Sequence, residues 1–104
     1  MARFDVYPNY DLQEREWIPY FLDVQNDHIV GLVTRVVVPL WSPEHLSVRA
    51  KHLNPELQIN GQSFIMDTPA LGAVPLKALR SPAHNLASQQ LLIQDALDTL
   101  FGSY

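Results

Sequence analysis

The stretch Trp17–Val24, WIPYFLDV, restricts the fold more than any other part of the chain. Successive side chains of an extended strand point to opposite faces. Ile18, Tyr20, Leu22 and Val24 then form one face, and Trp17 and Phe21 lie on the other. A strand that is apolar on both sides must be covered twice, so the sequence predicts a strand over Trp17–Val24 placed either in a barrel or at a subunit interface.

The neighbouring segments agree with a β-rich chain. Arg3–Asn9 reads as a short first strand with Phe4 and Val6 on one face, ended by Pro8-Asn9. Asn9–Glu16 is polar and reads as a loop. Gln25–Gly31 breaks the doubly apolar strand, and Val33–Leu40 follows as a strand rich in β-branched residues. Pro39, lacking an N–H, implies a sheet edge or a bulge there. Ser42 and Pro43 suit the N-cap and first position of a helical turn, and Pro55 closes that excursion.

Asn60-Gly61 is the dipeptide of a two-residue type I′ hairpin, in which both positions want positive φ. With that turn Ile59 faces Gln62 and Leu57 faces Phe64, so Leu57, Ile59, Phe64 and Met66 share a face. Ala73–Leu79 reads as a last short strand. From Ser81 the apolar period changes. Ser81-Pro82 could cap a first turn, and Leu86, Ile93, Leu97 and Leu100 recur at helical spacing through a helix over Leu86–Phe101. The expected fold class is mainly β: five or six antiparallel strands in one strongly bent sheet, with a C-terminal α-helix laid on it. No repeat or linker divides residues 1–104, so a single domain is expected.

Composition narrows the chemistry. The formal net charge is −4, and only seven Lys and Arg are scattered through 104 residues, which argues against a nucleic-acid-binding face. No apolar run is long enough to span a membrane and the N-terminus does not read as a signal peptide, so the expectation is a soluble, cytoplasmic protein. Cysteine is absent and four glycines are present, which leaves no thiolate site and no phosphate-cradling loop. His28, His45, His52 and His84 fall in no metal-ligand spacing. No catalytic set, cofactor or metal is therefore expected. Two features stand out: the acid-amide cluster Asp23–His28, which a solvated turn also explains, and the ending FGSY. By the helical wheel Phe101 sits beside Leu97 and Leu100, so the end either packs into the core behind a glycine cap or is a working surface.

The stretches FDVY, PYFLDVQND, RVVVPL, LQINGQSFIM, AVPLKAL and ALDTLF, in this order from about Arg3 to Phe101, together resemble the CcdB toxins of toxin–antitoxin operons. YFLDVQND is the most specific part of the match. The resemblance implies an SH3-like barrel with a C-terminal helix, assembled as a two-fold homodimer. It implies a toxin that catalyses nothing, binds the A subunit of DNA gyrase, traps the enzyme on cleaved DNA and is neutralised by a CcdA-like antitoxin. Contact with DNA would be indirect, through gyrase or the antitoxin. Carried over by position, the gyrase-binding residues are Asn26, His28 and Ile29 in the loop, with Asp98, Phe101, Gly102, Ser103 and Tyr104 at the end of the chain. The family's toxic members typically follow this Phe with Trp-Gly-Ile; here the ending is Gly-Ser-Tyr.

Two alternatives stay open. The MazF/Kid toxins use the same barrel for RNA cleavage, and Asp23, His28 and Arg35 are then the candidate base, acid and phosphate contact. A relative that binds its antitoxin without poisoning gyrase is the other.

Overall fold

The computed structural model of the chain describes residues 1–102. Seven strands form one antiparallel sheet: β1 (Asp5–Pro8), β2 (Tyr20–Asp23), β3 (Thr34–Trp41), β4 (Glu56–Ile59), β5 (Gln62–Met66), β6 (Gly72–Pro75) and β7 (His84–Asn85). The strand order is β4-β5-β3-β2-β1-β7, with β6 paired to β3. The sheet bends into a nearly closed barrel, and α1 (Gln90–Phe101), the one α-helix among the described residues, follows it.

The doubly apolar segment is shorter as a strand than its sequence predicts. The backbone N–H groups of Trp17 and Ile18 both donate to the carbonyl of Glu14, at 3.0 and 2.9 Å, so Trp17 ends a turn and β2 begins only at Tyr20. Its two faces are nonetheless both covered. Leu22 and Val24 enter the barrel core with Val6, Val38, Leu40, Leu57, Ile59, Phe64 and Met66, against Ile93, Ala96 and Leu97 of α1. Phe21 lies in a second cluster on the opposite face with Tyr7, Val37 and Leu79, flanked by Ile18 and Val74. The chain thus supplies both coverings itself, and the two apolar faces of β2 do not by themselves require a second subunit.

The hairpin follows its local code. Asn60 and Gly61 have φ of 51° and 79°, and the register pairs Ile59 with Gln62 and Leu57 with Phe64. Leu57, Ile59, Phe64 and Met66 all reach the barrel core.

Pro39 lies in the middle of the sheet and not at an edge. β3 pairs with β6 through Val37 and with β5 from Leu40 onward, and the carbonyl of Pro39 accepts the Asp67 N–H at 3.0 Å on that same side. Its missing N–H falls where β3 changes partner, so no ladder hydrogen bond is lost.

Other details refine the expectation. β1 starts at Asp5 because Phe4 has φ of +73° in a turn closed by Asp5 N–H to Ala2 O at 3.1 Å. The helical turn expected after Ser42 forms as a 3₁₀ turn, Pro43–His45, with Ser42 at its N-cap position and Pro43 first, but Ser42 makes no side-chain cap bond. The strand expected over Ala73–Leu79 ends at Pro75 and passes into a 3₁₀ turn at Leu76–Ala78. A 3₁₀ turn at Ala87–Gln89 precedes α1, so the buried Leu86 contributes to the core from outside the helix, and Ser81-Pro82 caps nothing. None of the helices among the described residues is long and apolar enough to cross a membrane.

Candidate functional site

The end of α1 is shaped by Gly102. It adopts φ of +76° in the left-handed region and donates its N–H to Asp98 O at 2.9 Å, a stop that glycine makes without a Cβ penalty. This leaves Phe101 on the last turn with 69% of its surface exposed. The apolar stripe drifts about 40° for every four residues of a 3.6-residue helix. Ile93 and Leu97 are buried, but the drift carries Phe101 off the packed face. The packing of Phe101 into the core, one of the two sequence expectations, is therefore not what the fold does. Ser103 and Tyr104 lie outside the described residues.

The loop after β2 is a built turn. Asn26 Oδ1 accepts the His28 N–H at 2.9 Å, and Asn26 O accepts the Ile29 N–H at 3.2 Å. A short amide side chain that closes its own turn in this way is the usual reason for Asn at such a position. Asn26, His28 and Ile29 are all exposed.

Beneath the loop is a buried ion pair. Arg35 Nε and an Arg35 guanidinium NH₂ donate to the two carboxylate oxygens of Asp23 at 2.8 and 2.9 Å, and neither residue reaches solvent appreciably. Asp23 also accepts the Gln25 N–H at 3.0 Å, while the Gln25 side-chain oxygen accepts the Val36 N–H at 3.0 Å. Arg35 further approaches Asp27, at 3.8 Å. Burial pushes the Asp23 carboxyl upward against the opposing pull of Arg35 and the Gln25 N–H. Tyr7 is buried on the same face, and its phenol is pushed up to about 12 by burial first and then by the charges of Asp5 and Asp23. The acid-amide cluster is thus a structural knot with an exposed loop on top. Asp23 and Arg35 are spent on each other, and His28 stands outside with the solvent, so the three do not face a substrate as base, acid and phosphate contact.

Arg3 joins this loop to α1. Its backbone N–H donates to Asp27 Oδ1. Its guanidinium donates to Val24 O at 3.2 Å and to Gln94 Oε1 at 3.4 Å, and lies 4.8 Å from the centre of the Phe4 ring. Gln94 in turn donates to Asp98 at 3.4 Å. A groove of 330 Å³ follows, with Val24, Val36, Leu71, Leu97 and Phe101 as its apolar lining and Arg3, Gln94 and Asp98 among its polar groups. A neighbouring groove holds Asp27, Ile29, Val30, Leu32 and Arg35, and Gln25 lines both.

The fold therefore brings Asp98 and Phe101 to one groove and Ile29 to the adjoining one. Asn26 and His28 line neither. Arg3 and Gln94, which tie the two regions, were not candidates from the sequence. No spacing could have pointed to them, since their contact spans 91 residues. Among the described residues no cluster of His, Asp and Glu could hold a metal ion. The family model described as CcdB protein matches residues 3–102 of the chain.

Proposed function

The chain belongs to the CcdB family, toxins of toxin–antitoxin systems, and from that membership we propose that it acts by binding the A subunit of DNA gyrase and holding the enzyme on cleaved DNA. The proposed contact surface is Asn26, His28 and Ile29 with Asp98, Phe101, Gly102, Ser103 and Tyr104. The proposed neutralising partner is a CcdA-like antitoxin, and the proposed working unit is a two-fold homodimer that presents two such surfaces. The family is not a catalytic one, and the action is inhibition by binding.

The observation that carries this reading is Phe101. A large aromatic ring held 69% exposed on a capped helix end is costly to leave in water and well suited to an interface, where aromatics dominate binding. Homodimer formation is supported by other exposed apolar side chains, among them Leu91, Leu92, Val30 and Val33.

The test is a DNA-cleavage assay with purified gyrase. Wild-type protein is expected to accumulate cleaved complex, and Phe101→Ala to abolish it while the fold persists. No cleaved complex, together with tight antitoxin binding, would instead establish the relative that binds its antitoxin without poisoning. The Gly-Ser-Tyr ending favours that second reading. Cleavage of total RNA by the purified protein would overturn both. Sedimentation is expected to give twice the 11.8 kDa chain mass at micromolar concentration.

A further inference from the structure

We propose that Arg3 is a positioning residue that ties the Asn26–Ile29 loop to the last turns of α1 and so sets the spacing between the two halves of the binding surface, an inference that rests on the reading of that surface given above. The root of Arg3 is fixed. Phe4 N–H donates to Asp23 O at 2.7 Å, the Phe4 ring is buried in the core, and the turn through Phe4 closes on Ala2. From that root the residue reaches in two directions. Its main chain holds Asp27, two residues before Ile29, and its guanidinium holds Val24 O at the start of the same loop. The same guanidinium reaches Gln94, whose amide reaches Asp98, whose carbonyl accepts the Gly102 N–H that ends the helix.

The residue type suits the task. A guanidinium offers five donors in a planar fork, so it can serve two acceptors on different elements while stacking over a ring. An ammonium is a single point on a flexible stem. Arg3 is only half-buried, so its bonds to the neutral groups Val24 O and Gln94 compete with water less than fully exposed ones would. Loop and helix end are far apart in the chain and meet through the packing of Val24 near Leu97 and through Arg3, and their relative placement decides whether Ile29 and Phe101 meet a partner together.

The test compares wild type with Arg3→Met, which keeps the stem and loses the fork, and with Arg3→Lys. Backbone amide spectra should show shifts in both 25–29 and 94–102 for Arg3→Met, with the barrel strands unchanged and the melting temperature nearly kept. Affinity for the gyrase A subunit should fall about tenfold, the scale of a coupling contribution, with Arg3→Lys recovering only part. Ile29→Ala and Phe101→Ala should be non-additive in wild type and multiply simply in the Arg3→Met background. Amides 94–102 that stay in place, or a loss of affinity that only tracks a loss of stability, would overturn the proposal. If wild type does not bind gyrase A, the gyrase reading falls alone, and the amide spectra still decide whether Arg3 couples loop to helix.

Discussion

The carboxylate of Asp23 and the guanidinium of Arg35 meet in a two-bond clamp, at 2.8 and 2.9 Å, on the wall of the barrel that faces Tyr7 and Phe21. Removing one partner of such a pair strands a buried charge. Asp23→Ala or Arg35→Met is therefore expected to cost about 3–5 kcal/mol, whereas the apolar double replacement is expected to cost far less. Urea unfolding of the three variants measures this. Equal losses for single and double variants would show that the clamp is worth its full strength as an ion pair.

Tyr7 gives the protein an alkaline limit. Its phenol is pushed up to about 12 in the fold from 10.0. The sign follows directly: the unfolded chain loses this proton first, so the stability it lends is complete below pH 10 and is lost as pH rises through about 12. The expected slope is about 1.4 kcal/mol per pH unit across that window. An ultraviolet titration should show a late tyrosinate that is absent in Tyr7→Phe.

Phe101→Ala should separate binding from folding. The ring leaves the core untouched, so stability is expected to change by about 0.5 kcal/mol or less. Binding to gyrase A is expected to weaken by about 2 kcal/mol or more, roughly thirtyfold. Calorimetric melting and a binding isotherm on the same sample check both halves. Unfolding on truncation to Ala would return Phe101 to the core.

Gly102→Trp puts an aromatic where the family's toxic members carry one. A Cβ at this position meets no atom within 4 Å, but φ is +76°, so the expected cost is backbone strain of about 1–2 kcal/mol. Gyrase cleavage should rise despite that loss. A melting curve paired with a cleavage titration tests the trade.

Local chemistry made some of this molecule readable from its residues and left the rest hidden. The β4–β5 hairpin was legible to the register because Asn60-Gly61 determines it within two residues. The family resemblance was legible because its stretches are collinear, and the family match spans residues 3–102. β7 was not, since His84 and Asn85 become a strand only by pairing with Val6 and Asp5. Trp17 looked like strand by polarity, yet a hydrogen bond to Glu14 O bends it into a turn. Asn9 looked like loop filler, yet it is fully buried and its side chain holds Ile18 O at 2.8 Å. At the proposed binding surface, Phe101 was undecided by the helical wheel because the wheel does not know where the barrel ends. Arg3 was invisible because its contacts lie 21, 24 and 91 residues away.

The pairing of β1 with β7, Asp5 against Asn85 and Val6 against His84, also governs how the molecule comes into being. One edge of β1 is served by β2 early in translation. The other waits for His84 and Asn85, some 80 residues further on, and α1 is made later still. Pairings between such distant segments pay a large loop-closure cost before they are rewarded, which makes them slow. During synthesis the ribosome therefore carries a sheet with one open seam, the kind of edge that chaperones guard and that stray strands invade. A chain broken before His84 therefore lacks both the strand that closes this edge of β1 and the helix that covers the core, and it is left with an unclosed sheet.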